Sequence, residues 1–190
     1  MTWQDIAALI GAIGGTIGAV AGVVVYLQSG SRVKVRITLG VRVPGMMPGP
    51  GQIGLIVIDP KKFSGSFGYG IDFNYAELVV IVEARNVGRL AVNLESVHLT
   101  RGGVQLGGGN LFTGAHSFPH RLNFGSSATW TAPFEDAYRL AHLSTKRLPN
   151  PSSIGAAIQL GNGKEVQAPS QITPLHMQRV LSSWQGVVQQ

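Results

Sequence analysis

The sequence predicts a mainly β protein carried on an N-terminal membrane helix. Three observations predict it: 22 consecutive uncharged residues from Ile6 to Leu27, a strictly alternating stretch from Arg32 to Val43, and a series of short apolar runs separated by glycine-rich turns. At 190 residues there is room for one domain of ordinary size plus an anchor. Only 13% of residues are charged while 44% are apolar, a balance that can fill a core and does not resemble a disordered chain. The absence of cysteine excludes disulfides, thiolate catalysis and cysteine-ligated metal centres.

As a helix, residues 6–27 span about 33 Å, which matches a hydrocarbon core of about 30 Å. Trp3 and Tyr26 flank the run, where amphipathic rings favour head-group depth. A cleaved signal peptide is the competing reading, because "AVA" at 19–21 resembles a cleavage site; residues 1–5 nevertheless contain Asp5 and no basic residue, unlike a signal n-region. At 100° per residue, Ile6, Ile10, Ile13, Ile17, Val20 and Val24 occupy an arc of roughly 80°, and Ala7, Gly11, Gly14, Gly15, Gly18 and Gly22 one of roughly 100° opposite. Gly14, Gly18 and Gly22 form GxxxGxxxG, which lets helix backbones approach closely where lipid supplies no hydrophobic drive. The glycine face is expected to join copies, or to join the chain to a partner helix.

The formal net charge is +6, with a local concentration at Arg32, Lys34, Arg36 and Arg42. Positive charge close behind a span suits anionic lipid head groups and biases orientation, so the N-terminus is expected outside and the large C-terminal part in the cytoplasm. No recognised motif or long basic stripe accompanies the charge, and nucleic acid is not an expected partner.

Val33, Val35, Ile37, Leu39, Val41 and Val43 fall on one side of the first strand, with Arg32, Lys34, Arg36, Thr38 and Arg42 on the other. "PGMMPGPGQ" then interrupts regular structure. Further strands are expected at 53–58, 77–86, 92–100, 104–106, 128–131, 154–160 and 164–168. They are separated by "NVGR", "RGG", "GGGN" and "GNG", which supply turn residues able to take positive φ. Such spacing implies an antiparallel sandwich or barrel.

"APFEDAYRLAHL" at 132–143 departs from strand periodicity: Pro133 suits a first helical position and acids occupy the first turn, so a short crossover helix is expected. Thr173-Pro174 reads as a cap and first turn, followed at helical spacing by Met177, Val180, Leu181, Trp184 and Val188. The chain is thus divided into an anchor at 1–31, a β domain at 32–170 and a C-terminal amphipathic helix at 171–190. That last helix covers a sheet edge, packs on a neighbour or rests on a membrane.

The runs "ELVVIVEARNVGRLAVNLESVHL", "FPHRLNFGSSATWTAPFEDAYRLAHL" and "IGAAIQLGNGKEVQA" resemble small bacterial, actinobacterial-type single-pass membrane proteins. The resemblance covers roughly residues 75–168 and implies an immunoglobulin-like β-sandwich behind one membrane helix. It brings no catalytic residues with it.

Chemistry is sparse. His116 and His120 in "HSFPH" come nearest to a metal pair, but Pro119 and Gly114 favour a loop and no carboxylate lies nearby in sequence, so no metal is expected. His98 and His142 read as polar residues of a strand and a helix. "RGGVQLGGGN" and "GNGKE" lack the GK[ST] of a phosphate cradle and read as hairpins. No nucleophile, base and oxyanion donor assemble, and neither catalysis nor a cofactor is expected. The loop "DPKKFSGSFGYGIDFNY", with Phe63, Phe67, Tyr69 and Phe73 among glycines, is the candidate partner-binding loop. With "MMPGPG" it is expected to form one end of the sandwich, facing the bilayer.

The reading that follows is a non-enzymatic membrane protein whose β domain binds or scaffolds a protein partner and which oligomerises through its glycine face. Two alternatives stay open: a structural, membrane-associated component of a large assembly such as a phage particle, and a pore-forming effector.

Overall fold

A computed structural model describes residues 32–43, 54–59, 76–107, 111–114, 116–143 and 151–188, together with Thr16, Gly18, Ala19, Val20 and Gly22. Ten strands are described: β1 (Val33–Val43), β2 (Gly54–Ile58), β3 (Glu77–Asn86), β4 (Val92–Arg101), β5 (Val104–Gly107), β6 (Thr113–Gly114), β7 (His120–Leu122), β8 (Ser127–Pro133), β9 (Gly155–Leu160) and β10 (Glu165–Gln167). Two helices are described over their length, α1 (Phe134–His142) and α2 (Pro174–Val188). One sheet runs β2-β1-β3-β8-β6; the other runs β10-β9-β4-β5, with β7 also paired to β4. Every pairing among the described residues is antiparallel, giving a mainly β architecture consistent with a sandwich.

Strict alternation in β1 turns Val35, Ile37, Leu39, Val41 and Val43 into the core, opposite Ala84, Val82, Val80 and Leu78 of β3. The even-numbered residues face outward, as the binary pattern requires. In β4 the inward set changes parity: Val92 and Leu94 point in, and so do Val97, Leu99 and Arg101. A register shift between Leu94 and Ser96 against β9 explains this, because the bulged Glu95 adds one residue and reverses the faces. Trp130 of β8, 1% exposed, is the bulkiest fully buried side chain among the described residues, and its indole N–H donates to the His116 carbonyl at 3.0 Å. Gly40 of β1 meets a steric need, since a Cβ there would lie 2.3 Å from Ile81 Cδ1 and 2.7 Å from the Ile56 carbonyl oxygen.

Helix α1 continues from β8, with Pro133 at its N-cap position, so that the helix begins one residue later than the sequence suggests. Glu135 and Asp136 lie in the first turn beside the positive end of the helix dipole, and Glu135 pairs with Arg139 at 2.6 Å. Phe134, Ala137, Leu140 and Ala141 are buried. The carbonyls at its C-terminal end need partners, and these come from the opposite sheet. Arg101, 1% exposed, donates from Nη1 to the carbonyls of Leu140 at 2.8 Å and Leu143 at 2.5 Å, and from Nε to Ser152 Oγ at 2.6 Å. One guanidinium therefore fastens the crossover helix to β4.

Helix α2 begins at a cap in which Thr173 Oγ1 accepts from the His176 amide at 3.2 Å. It packs on the domain: Met177 and Val180 are buried, and Leu181 and Trp184 rest against the same core. Of the expected membrane span, Thr16, Gly18, Ala19, Val20 and Gly22 are helical and exposed; the remainder of 6–27 lies outside the described residues. Among the described residues no helix is long and apolar enough to cross a membrane.

Replacing Arg101 by Met should lower unfolding free energy by about 3 kcal/mol, because it removes charged hydrogen bonds and strands the α1 carbonyls. Arg101→Lys should restore less than half, since one ammonium cannot reproduce the fork. Urea unfolding checks this, and a loss below about 1 kcal/mol for the Met variant would contradict the role given to Arg101.

Candidate functional site: the open edge of β1

Strand β1 has eleven residues, but β2 pairs only with Leu39 to Val43. Along the first half of β1 no strand occupies that side among the described residues. The direction of its backbone groups follows from one bond: the Arg32 carbonyl accepts from the Val87 amide at 2.8 Å, which makes Arg32 and Val87 a hydrogen-bonded pair. In an antiparallel ladder such pairs alternate, so Lys34 and Arg36 exchange bonds with β3 while Val33, Val35 and Ile37 turn their N–H and C=O groups away from it. Among the described residues no strand pairs with the outward groups of those three.

Facing this edge across an open groove of about 720 Å³ is the end of the other sheet, with Val166 and Gln167 of β10 followed by Pro169 and Ser170. The near wall carries Val33, Lys34, Val35, Arg36, Glu83 and Arg85. Apolar side chains of β1 lie toward the sandwich interior and the basic ones toward the outside. Lys34 stands opposite Arg85 in the register, and Arg36 opposite Glu83. Three cations against one carboxylate leave the outer wall positive.

The four basic residues expected at a membrane surface are separated by this geometry. Lys34 and Arg36 line the groove, and Arg32 precedes β1 at the same end. Arg42 lies at the other end of the strand, bound through Nε to Glu77 Oε2 at 3.0 Å, through Nη2 to the same oxygen, and through Nη1 to Thr113 Oγ1 at 3.0 Å. Its charge is locally neutralised. Gly18 and Gly22 are helical, with nothing within 4 Å of where a Cβ would stand. Gly11, Gly14 and Gly15, and the loop aromatics Phe63, Phe67, Tyr69 and Phe73, lie outside the described residues. So do residues 44–53, whose flanks Val43 and Gly54 pair at the end of β1 opposite Arg32.

His116 and His120 do come together, as stacked rings with centroids 4.1 Å apart. His120 also meets Trp130 edge-on at 6.3 Å, and the cis Phe118–Pro119 bond lies between the two histidines. Among the described residues no group of three His, Asp or Glu side chains is placed to hold a metal. His98 Nε2 lies 2.8 Å from Ser96 Oγ, and His142 Nδ1 lies 2.9 Å from the Tyr138 carbonyl. Both histidines have local partners. Arg85 and the β10 wall were not legible as site residues in the sequence, because only strand register brings them to β1. No family model and no curated protein matches the chain.

Desolvation, with the nearby His116 as a second cause, holds the His120 pKa below its ordinary 6.5. The unfolded chain therefore binds more protons at His120 as pH falls through the ordinary value, and stability falls with it. Thermal melts between pH 7.5 and 5 should show a declining midpoint whose slope flattens in His120→Gln. An unchanged slope in that variant would contradict this coupling.

Proposed function

We propose that the chain is a non-enzymatic, membrane-anchored binding module that holds a protein partner at the open edge of β1. One observation carries the reading: the outward backbone groups of Val33, Val35 and Ile37, which no strand among the described residues pairs, stand between an apolar floor and a basic wall. Such an edge accepts an extended segment as an added strand, with main-chain bonds giving affinity and alternate side chains giving specificity. The partner strand fitting it alternates apolar residues, facing Val33, Val35 and Val166, with acidic residues facing Lys34, Arg36 and Arg85. The same cations oppose pairing with a second copy of β1, since like charges would meet across the ladder.

In this reading residues 6–27 cross the membrane, the basic residues behind them orient the domain to the cytoplasm, and the two antiparallel sheets form an immunoglobulin-like sandwich. Gly11, Gly14, Gly15, Gly18 and Gly22 form the face on which copies associate, bringing several β1 edges together. The support is the one-sided glycine row in the sequence and the helical state of Gly18 and Gly22.

The test uses the full chain in vesicles, with a labelled peptide alternating valine and glutamate and its valine–lysine counterpart. The acidic peptide should bind at least about tenfold more tightly, weakening with salt, and Lys34→Glu with Arg36→Glu should invert the preference. Equal affinity for both peptides would sink the groove as the partner site. In the same vesicles, Gly14→Ile with Gly18→Ile should reduce crosslinking between copies; undiminished crosslinking would remove the glycine face from the account.

A further inference from the structure

At the end of the sandwich where the chain enters β1, two turns project apolar side chains into solvent. The β3–β4 turn carries Val87 and Leu90, 37% and 58% exposed, and the β7–β8 turn carries Phe124, 66% exposed. The two turns are held as one unit by Asn86, which is fully buried. Asn86 Nδ2 donates to the carbonyls of Leu90 at 2.7 Å and Leu122 at 3.0 Å, while its Oδ1 accepts from the Gly88 amide at 3.0 Å. Its backbone carbonyl accepts from Gly125 and its amide donates to Ser126, both at 3.0 Å. Gly125, at φ 73°, closes the second turn in a conformation that side chains disfavour. Leu90 and Phe124 are therefore presented on well-bonded turns.

Two further observations say what covers them. Arg89 sits between the exposed residues of the first turn, and the Arg32 carbonyl accepts from the Val87 and Gly88 amides, so the chain enters the domain beside this tip. Only residues 28–31 separate Arg32 from the end of the apolar run at Leu27. Five residue steps span at most about 18 Å, so an anchored run holds this tip close to the bilayer surface.

We infer that the tip formed by Leu90 and Phe124, flanked by Arg32 and Arg89, docks into the interfacial layer of an anionic lipid bilayer. An apolar pair inserted below basic residues matches how peripheral surfaces engage anionic membranes, where burial and charge act together. The domain then stands on two supports, the span and the tip, with the β1 groove along its flank. The inference rests on the anchored reading of residues 6–27.

The chain contains no cysteine, so single labels can be introduced at Leu90→Cys, Phe124→Cys and, as a distant exposed control, Leu175→Cys. Each full-length variant carries an environment-sensitive fluorophore and is reconstituted in vesicles of phosphatidylcholine with phosphatidylserine, with a lipid-borne quencher at interfacial depth. Labels at 90 and 124 should shift to the blue and be quenched at least about twofold, whereas the label at 175 should change little. Replacing phosphatidylserine by phosphatidylcholine should weaken the effect. Co-flotation with vesicles but unquenched labels at 90 and 124 would overturn the docked tip while leaving the anchor intact. Failure to co-float would overturn both. A blue shift that appears in detergent with rising protein concentration, before lipid is added, would identify the tip as a contact between copies and would also overturn the inference.

Discussion

A single buried amide at Asn86 organises the end of the domain on which the functional reading depends. An amide taken from water without partners costs several kcal/mol, so a buried asparagine persists only where the surrounding backbone satisfies it. Here the side chain reaches the β3–β4 turn and β7, while the backbone of the same residue reaches the β7–β8 turn. Its neighbours Val87 and Gly88 bind the Arg32 carbonyl and so fix where β1 begins. That register decides which β1 residues bond to β3 and which face the open edge.

The consequence is a strand of two halves. From Leu39 to Arg42 β1 is paired on both sides; from Val33 to Ile37, among the described residues, it is paired on one. An uncovered edge is a hazard for aggregation, and alternating Lys34 and Arg36 are the kind of residues that deter pairing with a like strand. A backbone bond gained from water contributes only about 1 kcal/mol net, so the backbone of three edge residues does not by itself select a partner. Selection falls to the side chains, and Lys34, Arg36 and Arg85 set its sign.

Much of the fold was legible because it is local. The alternation of β1, the run from Glu77 to Asn86 and the acidic first turn of α1 follow from spacing and composition, and each appears within a residue or two of its expected place. What escaped the sequence is non-local. The parity change in β4 needs the bulge at Glu95, and β7 is hidden in a segment that its Pro119 marks as loop. Arg101 looks like one more surface cation until the fold brings the end of α1 over it. At the candidate site the basic residues of β1 were visible, but their division was not. Arg42 is drawn to Glu77 at one end, while Lys34 and Arg36 meet Arg85 and β10 at the other. The C-terminal helix, open to three placements from its amphipathic pattern, rests on the domain through Met177 and Val180.

Amide hydrogen exchange along β1 tests the central claim most directly, because it reads each backbone group by itself. In the full chain without any partner, the amides of Val33, Val35 and Ile37 should exchange orders of magnitude faster than those of Leu39 and Val41, which share the strand but are paired to β2. Protection at Val33, Val35 and Ile37 equal to that at Leu39 and Val41 would contradict an open edge, and with it the assignment of β1 as the partner-binding strand.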